Sequence, residues 1–235
     1  MKILAIDTST DYLSVAIHNE DGLIAERNFR SPMKHSSCLM PLIVESLALA
    51  DLSIEAIDGF AVSLGPGSFT GLRVGVATMK GLVFATGKPI VGVPTLDVLA
   101  ENITETAYHI LPVLDAKREQ VYASIYRYSG KKLKRLTDYL VIGIDDLLKK
   151  VRAKTIFLGD GLFDYRDVIR EKKKDLAIFA PRDLWFTKAS VVAKYGLERL
   201  KAGKVERAYD LTPLYLRPPE AEEKLAARSS ASKCA

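Results

Sequence analysis

Lys2-Ile3-Leu4-Ala5-Ile6-Asp7 opens the chain, and residues 12–19 and 23–29 follow it as two more strand-length runs. Leu13, Val15 and Ile17 alternate with polar or small residues, the period of a half-buried strand. Asp21-Gly22 stands between the second and third runs, where a hairpin turn belongs. Working outward, residues 35–50 read as a helix and 59–63 as a buried strand. Residues 70–86 read as a helix closed by Gly87, 90–93 as a strand, and 95–106 as a helix capped by Thr95. From residue 110 the same order returns. Three strands (110–114, 121–128, 133–141, with Ser129-Gly130 as a turn) precede a helix (145–152), a strand (155–158), a helix (163–172), a strand (176–179) and a helix (188–202).

A doubled βββαβαβα unit is the plan of the actin-like (ASKHA) α/β fold, in which two lobes face each other across a cleft. The lobes are expected at residues 1–104 and 105–217. A tail over 218–235 is expected to be partly helical or disordered. Order alone does not give function, which must be argued from the site.

Composition agrees with a folded α/β chain. Of 235 residues, 48% are hydrophobic and 27% charged, which excludes collagen, coiled coil and wholesale disorder. No uncharged apolar run reaches the roughly 18 residues of a membrane helix. Ile3–Ile6 is too short for a signal peptide. The two cysteines, Cys38 and Cys234, lie far apart and read as reduced cytosolic thiols. A cytoplasmic protein with no membrane partner is expected. Charge is uneven: residues 1–100 hold 7 basic and 10 acidic side chains, residues 101–235 hold 27 and 19. The basic excess gathers at Lys131, Lys132, Lys134 and Arg135, and at Lys172, Lys173 and Lys174. Such runs attract phosphate, but no aromatics alternate with the Lys172 run, and both are read as solvated faces.

In this plan the first strand of each lobe ends at a turn facing the cleft. Lobe one offers Asp7-Thr8-Ser9-Thr10, an acid beside three hydroxyls, able to hold a hydrated metal and phosphate oxygens. The same residues also make an ordinary Asx or Ser/Thr turn. Lobe two offers Asp115-Ala116-Lys117-Arg118-Glu119, with neither glycine nor hydroxyl. A phosphate cradle wants glycines so that backbone N–H groups can approach the oxygens. Gly159-Asp160-Gly161, after its strand, could lie near an adenosine or simply turn the chain. A weak nucleotide site would therefore involve Asp7, Thr8, Ser9, Gly159 and Gly161.

The run Ser63-Leu64-Gly65-Pro66-Gly67-Ser68-Phe69-Thr70-Gly71-Leu72-Arg73 follows a strand and opens a helix. It is neither a Walker A loop nor GxGxxG. Gly71, Gly75 and Thr78 fall on one helical face, a smooth stripe open to close approach by the chain's own sheet or by another subunit. The helix from His35 is apolar all round, which calls for burial on more than one side, and Pro41 should bend its first turns. Partner contacts are expected on its His35, Leu39, Met40, Ile43 and Leu47. On the following helix they are expected on Gly71, Arg73, Val74, Gly75, Thr78 and Leu82. The three histidines form no cluster; Leu39 stands where a second metal ligand would follow His35. No catalytic residue and no metal ligand is assigned.

Ile3 to Thr10, His35-Ser36, Ser63 to Lys80, Gly92-Val93-Pro94-Thr95-Leu96, Leu114 to Arg118 and Pro213-Leu214-Tyr215-Leu216-Arg217 together resemble the TsaB (YeaZ) family, across nearly the whole chain. The resemblance implies a part in making threonylcarbamoyladenosine at position 37 of tRNA. It implies a non-catalytic scaffold that pairs with a TsaD-type transferase and is joined by a TsaE-type ATPase. A homodimer when alone, tRNA met indirectly through the complex, and no required cofactor beyond ATP or ADP with Mg at the complex are implied too. The relative's metal-binding HxxxH reduces here to His35 with Leu39. The rival readings are an ATP-dependent small-molecule kinase and a metallopeptidase of the same superfold.

Overall fold

The computed structural model describes residues 1–30 and 35–217; the tail expected over 218–235 lies outside the described residues. Its strands and helices are β1 (Lys2–Asp7), β2 (Tyr12–Asn19), β3 (Gly22–Arg30), α1 (His35–Leu49), β4 (Gly59–Gly65), α2 (Phe69–Thr86), β5 (Ile90–Pro94) and α3 (Thr95–Ala100), then β6 (His109–Asp115), β7 (Gln120–Ala123), β8 (Tyr126–Ser129), β9 (Lys132–Arg135), β10 (Leu140–Gly143), α4 (Ile144–Lys150), β11 (Thr155–Leu158), α5 (Leu162–Lys173), β12 (Ala177–Phe179) and α6 (Ala189–Lys201). The first sheet runs β3-β2-β1-β4-β5 and the second β10-β7-β6-β11-β12. The spatial order 3-2-1-4-5 thus occurs twice, and it establishes the duplicated actin-like plan. In both sheets the hairpin strands pair antiparallel and the strands after the crossover helices pair parallel.

β1 is buried on both faces, as the inner strand of a sheet covered by helices must be. Leu4 and Ile6 point to a core shared with Leu39 and Ile43 of α1 and Met79 of α2. Ile3 and Ala5 point the other way, to Val192, Ala193 and Leu197 of α6. The last helix therefore packs on the first lobe's sheet, although a lobe boundary at 104/105 assigns it to the second. The physical reason is burial: the second face of β1 has no helix from its own half large enough to cover it.

Two expected strands are each divided. Residues 121–128 split at Ser124 and 133–141 split before Leu140, because side chains interrupt the ladder. Ser124 Oγ donates to the Thr137 carbonyl at 2.9 Å, and the Ile125 N–H donates to Thr137 Oγ1 at 3.0 Å. The helix expected over 95–106 stops at Ala100. Beyond it, Asn102 Nδ2 donates to the carbonyls of Leu184 (3.1 Å) and Phe186 (2.7 Å), tying the linker to the second lobe. Pro94, not Thr95, occupies the N-cap position, and the buried Thr95 hydroxyl has no hydrogen-bond partner among the described residues. Asp97 of α3 accepts from Tyr126 (2.6 Å) and from Tyr139 (2.9 Å). Burial, and the charge of Asp97, push both phenols above their ordinary range. α1 runs through Pro41 to Leu49.

Candidate functional site: the interlobe cleft and the outer helical face

The turn after β1 is spent on its own lobe. The Asp7 carboxylate is fully buried and accepts from the Ser9 N–H (3.0 Å), the Ser9 hydroxyl (2.8 Å) and the Ser63 hydroxyl. Thr8 Oγ1 donates to the Gly71 carbonyl at 2.8 Å. The Thr10 carbonyl meets His35 Nε2 at 2.9 Å. A buried acceptor with three donors is satisfied within its own lobe.

The glycine-rich run receives this turn. A Cβ on Gly67 would overlap the Ser9 carbonyl, one on Gly71 the Thr8 carbonyl, and one on Gly75 the Thr8 side chain. The Ser68 N–H donates to the Ser9 carbonyl at 2.7 Å, and Ser68 caps α2 by accepting from the Gly71 N–H at 3.2 Å. Of the two partners open to the small-residue stripe, the chain's own first strand and turn take it. Gly71 and Gly75, expected at a subunit interface, face inward instead, because only a bare Cα lets α2 approach Thr8 so closely.

The second lobe repeats the arrangement. A Cβ on Gly159 would overlap the Val113 carbonyl of β6, and the Gly161 N–H donates to that carbonyl at 3.0 Å. Several amides of the turn at 115–120 are bonded within the second lobe. The Asp115 N–H donates to Asp160 Oδ1 (3.0 Å), Ala116 N–H to the Gln120 carbonyl (3.0 Å) and Lys117 N–H to Asp115 Oδ1 (2.7 Å). Lys117, Arg118 and Glu119 all adopt left-handed backbone, φ 61°, 54° and 59°. That conformation costs a non-glycine residue about 1–2 kcal/mol each.

Between the two turns lies a cavity of about 430 Å³. Ser9 reaches its wall; Asp7, Thr8, Gly159 and Gly161 do not. Asp11, Asp115, Asp160 and Asp164 line it against Lys117 and Arg217. Burial pushes the Asp160 carboxyl up to about 6; the Asp115 N–H opposes that, and the charges of Asp115 and Asp11 add to it. The hydrogen bond to Asp115 raises Lys117. Sequence reasoning missed Asp160 and Arg217 as wall residues. Arg217 donates to the Ala116 carbonyl (3.0 Å) and to Gln120 Oε1 (3.3 Å). The segment before it is fixed to the first lobe, with the Leu214 N–H on the Leu64 carbonyl (2.7 Å) and Tyr215 accepting from Arg73 Nε (3.0 Å). The segment from Leu214 to Arg217 thus straps the lobes together at the cleft mouth.

The remaining expected contact residues divide by side. His35, Leu39 and Ile43 are buried within the lobe. Met40, Val44, Leu47 and Leu82, with Leu52, Ile54 and the largely buried Ile43, line an apolar groove of about 480 Å³ on the outer face of α1 and α2. Val44 is 59% exposed and Phe84, further along α2, 71%. Arg73 is exposed and stacks over Phe69 at 3.8 Å; Val74 and Thr78 are half-buried.

Residues 30–225 match the family described as TsaD: tRNA N6-adenosine threonylcarbamoyltransferase. The tRNA threonylcarbamoyladenosine biosynthesis protein TsaB of Bacillus subtilis is 32% identical over 227 residues, 95% of this chain and 97% of that one. This chain belongs to the TsaB (YeaZ) family. Its Escherichia coli relative of the same name is 26% identical over 233 residues, 96% of this chain and 98% of that one. YeaZ from Pseudomonas aeruginosa superposes with a TM-score of 0.76 at 24% identity, over 91% of this chain and all of that one, a likeness of fold. The activator of 2-hydroxyisocaproyl-CoA dehydratase from Clostridium difficile, solved with bound ADPNP, shares the fold more distantly. Its TM-score is 0.52 at 11% identity, over 92% of this chain and 99% of that one.

Proposed function

We propose that this chain is a non-catalytic subunit of the machinery that makes threonylcarbamoyladenosine in tRNA. It pairs with a TsaD-type transferase through the outer face of α1 and α2, is joined by a TsaE-type ATPase, and self-associates through the same face when alone. Transfer chemistry belongs to the partner, and tRNA is engaged within the complex. The observation that carries the reading is the exposed apolar face. Met40, Val44, Leu47 and Leu82 form a continuous groove on a lobe whose own core is already complete. A patch of that kind on a folded domain marks a protein interface.

The cleft supports the same reading. A triphosphate held by two lobes needs free amide donors and a cation against its charge. Here the amides of Ser68, Asp115, Ala116 and Lys117 are already donated within the chain, and four carboxylates outnumber two cations on the wall. The donors already taken and the net acidic wall support the accessory reading over the kinase one, with any nucleotide held in the assembled complex.

The test is reconstitution. The chain is co-expressed with the TsaD-type protein of the same cell, and threonylcarbamoyl transfer to tRNA is assayed with each alone and with both plus a TsaE-type ATPase. Co-purification, with modification only in the mixture, is expected. Threonylcarbamoyl transfer by this chain alone, or failure to associate with the transferase, would overturn the proposal.

A further inference from the structure

The β8–β9 hairpin stands off the second sheet. β9 pairs with β8 alone, and β8 joins β6 at one register pair, Ile110 with Tyr126. Its own pairs are Tyr126–Arg135, Arg127–Lys134, Tyr128–Leu133 and Ser129–Lys132. Cross-strand partners share a face and faces alternate along each strand. One face is therefore Tyr126, Tyr128 and Leu133, packed on the second lobe's core, with Arg135 stacked 4.0 Å over Tyr139. The other face is Arg127, Lys132, Lys134 and Ser129, all exposed, with Lys131 at the tip.

This face is built against its own charge. Arg127 sits directly opposite Lys134, and like charges so placed disfavour the hairpin. Some exposed cations elsewhere have acids beside them, Lys149 with Asp146 at 2.7 Å, Lys172 with Asp145 at 2.6 Å and Arg27 with Glu45 at 3.3 Å, while others such as Arg152 and Lys204 stand singly without one among the described residues; what sets the hairpin apart is that its cations share one face. Among the described residues, no ion pair forms at Arg127, Lys131, Lys132 or Lys134.

We propose that this face is a docking strip for an RNA phosphate backbone. Cations about 6.5–7 Å apart along a strand and about 5 Å apart across the pair suit a regular polyanion. The face has no aromatic or apolar side chain. It can neither stack bases nor form the apolar centre of a protein interface, so it reads backbone charge and not sequence. The choice of RNA rests on the proposed role in tRNA modification; the unpaired strip stands without it.

The purified full chain, without any transferase, is titrated into a fluorescein-labelled tRNA transcript and followed by anisotropy between 50 and 200 mM KCl. Three to four phosphate contacts give a log–log salt slope of about −2 to −3. The variant Arg127→Gln/Lys132→Gln/Lys134→Gln, its fold checked by circular dichroism, is expected to bind at least about tenfold more weakly, with a slope flatter by about 2. The charge-matched control Lys149→Gln/Arg170→Gln/Lys194→Gln should stay within about twofold of the parent. The proposal is overturned by no RNA binding at 50 mM KCl, by a hairpin variant that binds like the parent, or by a control that loses as much. Binding to phosphatidylserine vesicles or polyglutamate in place of RNA overturns it too. Because no partner enters this measurement, its failure is distinguishable from failure of the reconstitution.

Discussion

Thr8 Oγ1 donates to the Gly71 carbonyl at 2.8 Å, and one turn on, Gly75 presents a bare Cα to the same threonine side chain. The first strand's turn and α2 are joined there at backbone distance. Gly75→Leu forces Thr8 or α2 to move, and overpacking of this kind costs about 1–3 kcal/mol. In a chain of this size each kcal/mol lowers Tm by about 2–4 °C. Calorimetry should show a Tm lower by at least several degrees. A variant that keeps its Tm but loses self-association would restore the stripe as an interface.

Val44 makes the opposite prediction. It is 59% exposed in the groove, one residue from Ile43, which is 1% exposed in the core. Val44→Glu should change stability by less than about 0.5 kcal/mol while abolishing sedimentation as a dimer and capture by the TsaD-type partner. Ile43→Ala should cost about 2–5 kcal/mol. If Val44→Glu associates normally in both measurements, the outer face is not the contact.

These two neighbours show what the sequence can carry. Element order was legible because apolar runs alternate cleanly with Gly and Asx turns, and the repeated strand order confirms it. Leu39, Ile43 and Met40 all read alike in an all-apolar helix, so which of them face the core was not. Gly71 and Gly75 declare close approach without naming what approaches. The destination of α6 and the hold of Arg217 on Ala116 depend on contacts more than 90 residues apart along the chain, with no local period to reveal them.

Asp160 couples stability to pH. Its carboxyl is raised from 3.8 to about 6, so the folded state holds a proton that the unfolded chain releases. The resulting stability is complete below about pH 4 and is lost as pH rises through 6, on the order of 2–3 kcal/mol. Asp160→Asn keeps an acceptor for the Asp115 N–H without the charge. Urea unfolding should find it more stable than the parent at pH 7.5, with the two converging near pH 4. Equal stabilities at both pH values would mean that the carboxyl is not held against ionisation.

Arg217 tests whether the strap fixes the lobes. Its guanidinium reaches the Ala116 carbonyl and Gln120 across the cleft mouth, while Leu214 and Tyr215 are bonded to the first lobe. Arg217→Ala removes charge-assisted bonds, which together contribute about 1–2 kcal/mol at a half-buried site. The more telling readout is local. Amide exchange at residues 116–120 should quicken, because the left-handed turn at Lys117, Arg118 and Glu119 carries backbone strain and loses an outside support. Arg217→Lys, with one donor head in place of a planar fork, should recover part of that protection. If exchange in the turn is unchanged in Arg217→Ala, the turn holds itself and the strap contributes no more than its own bonds.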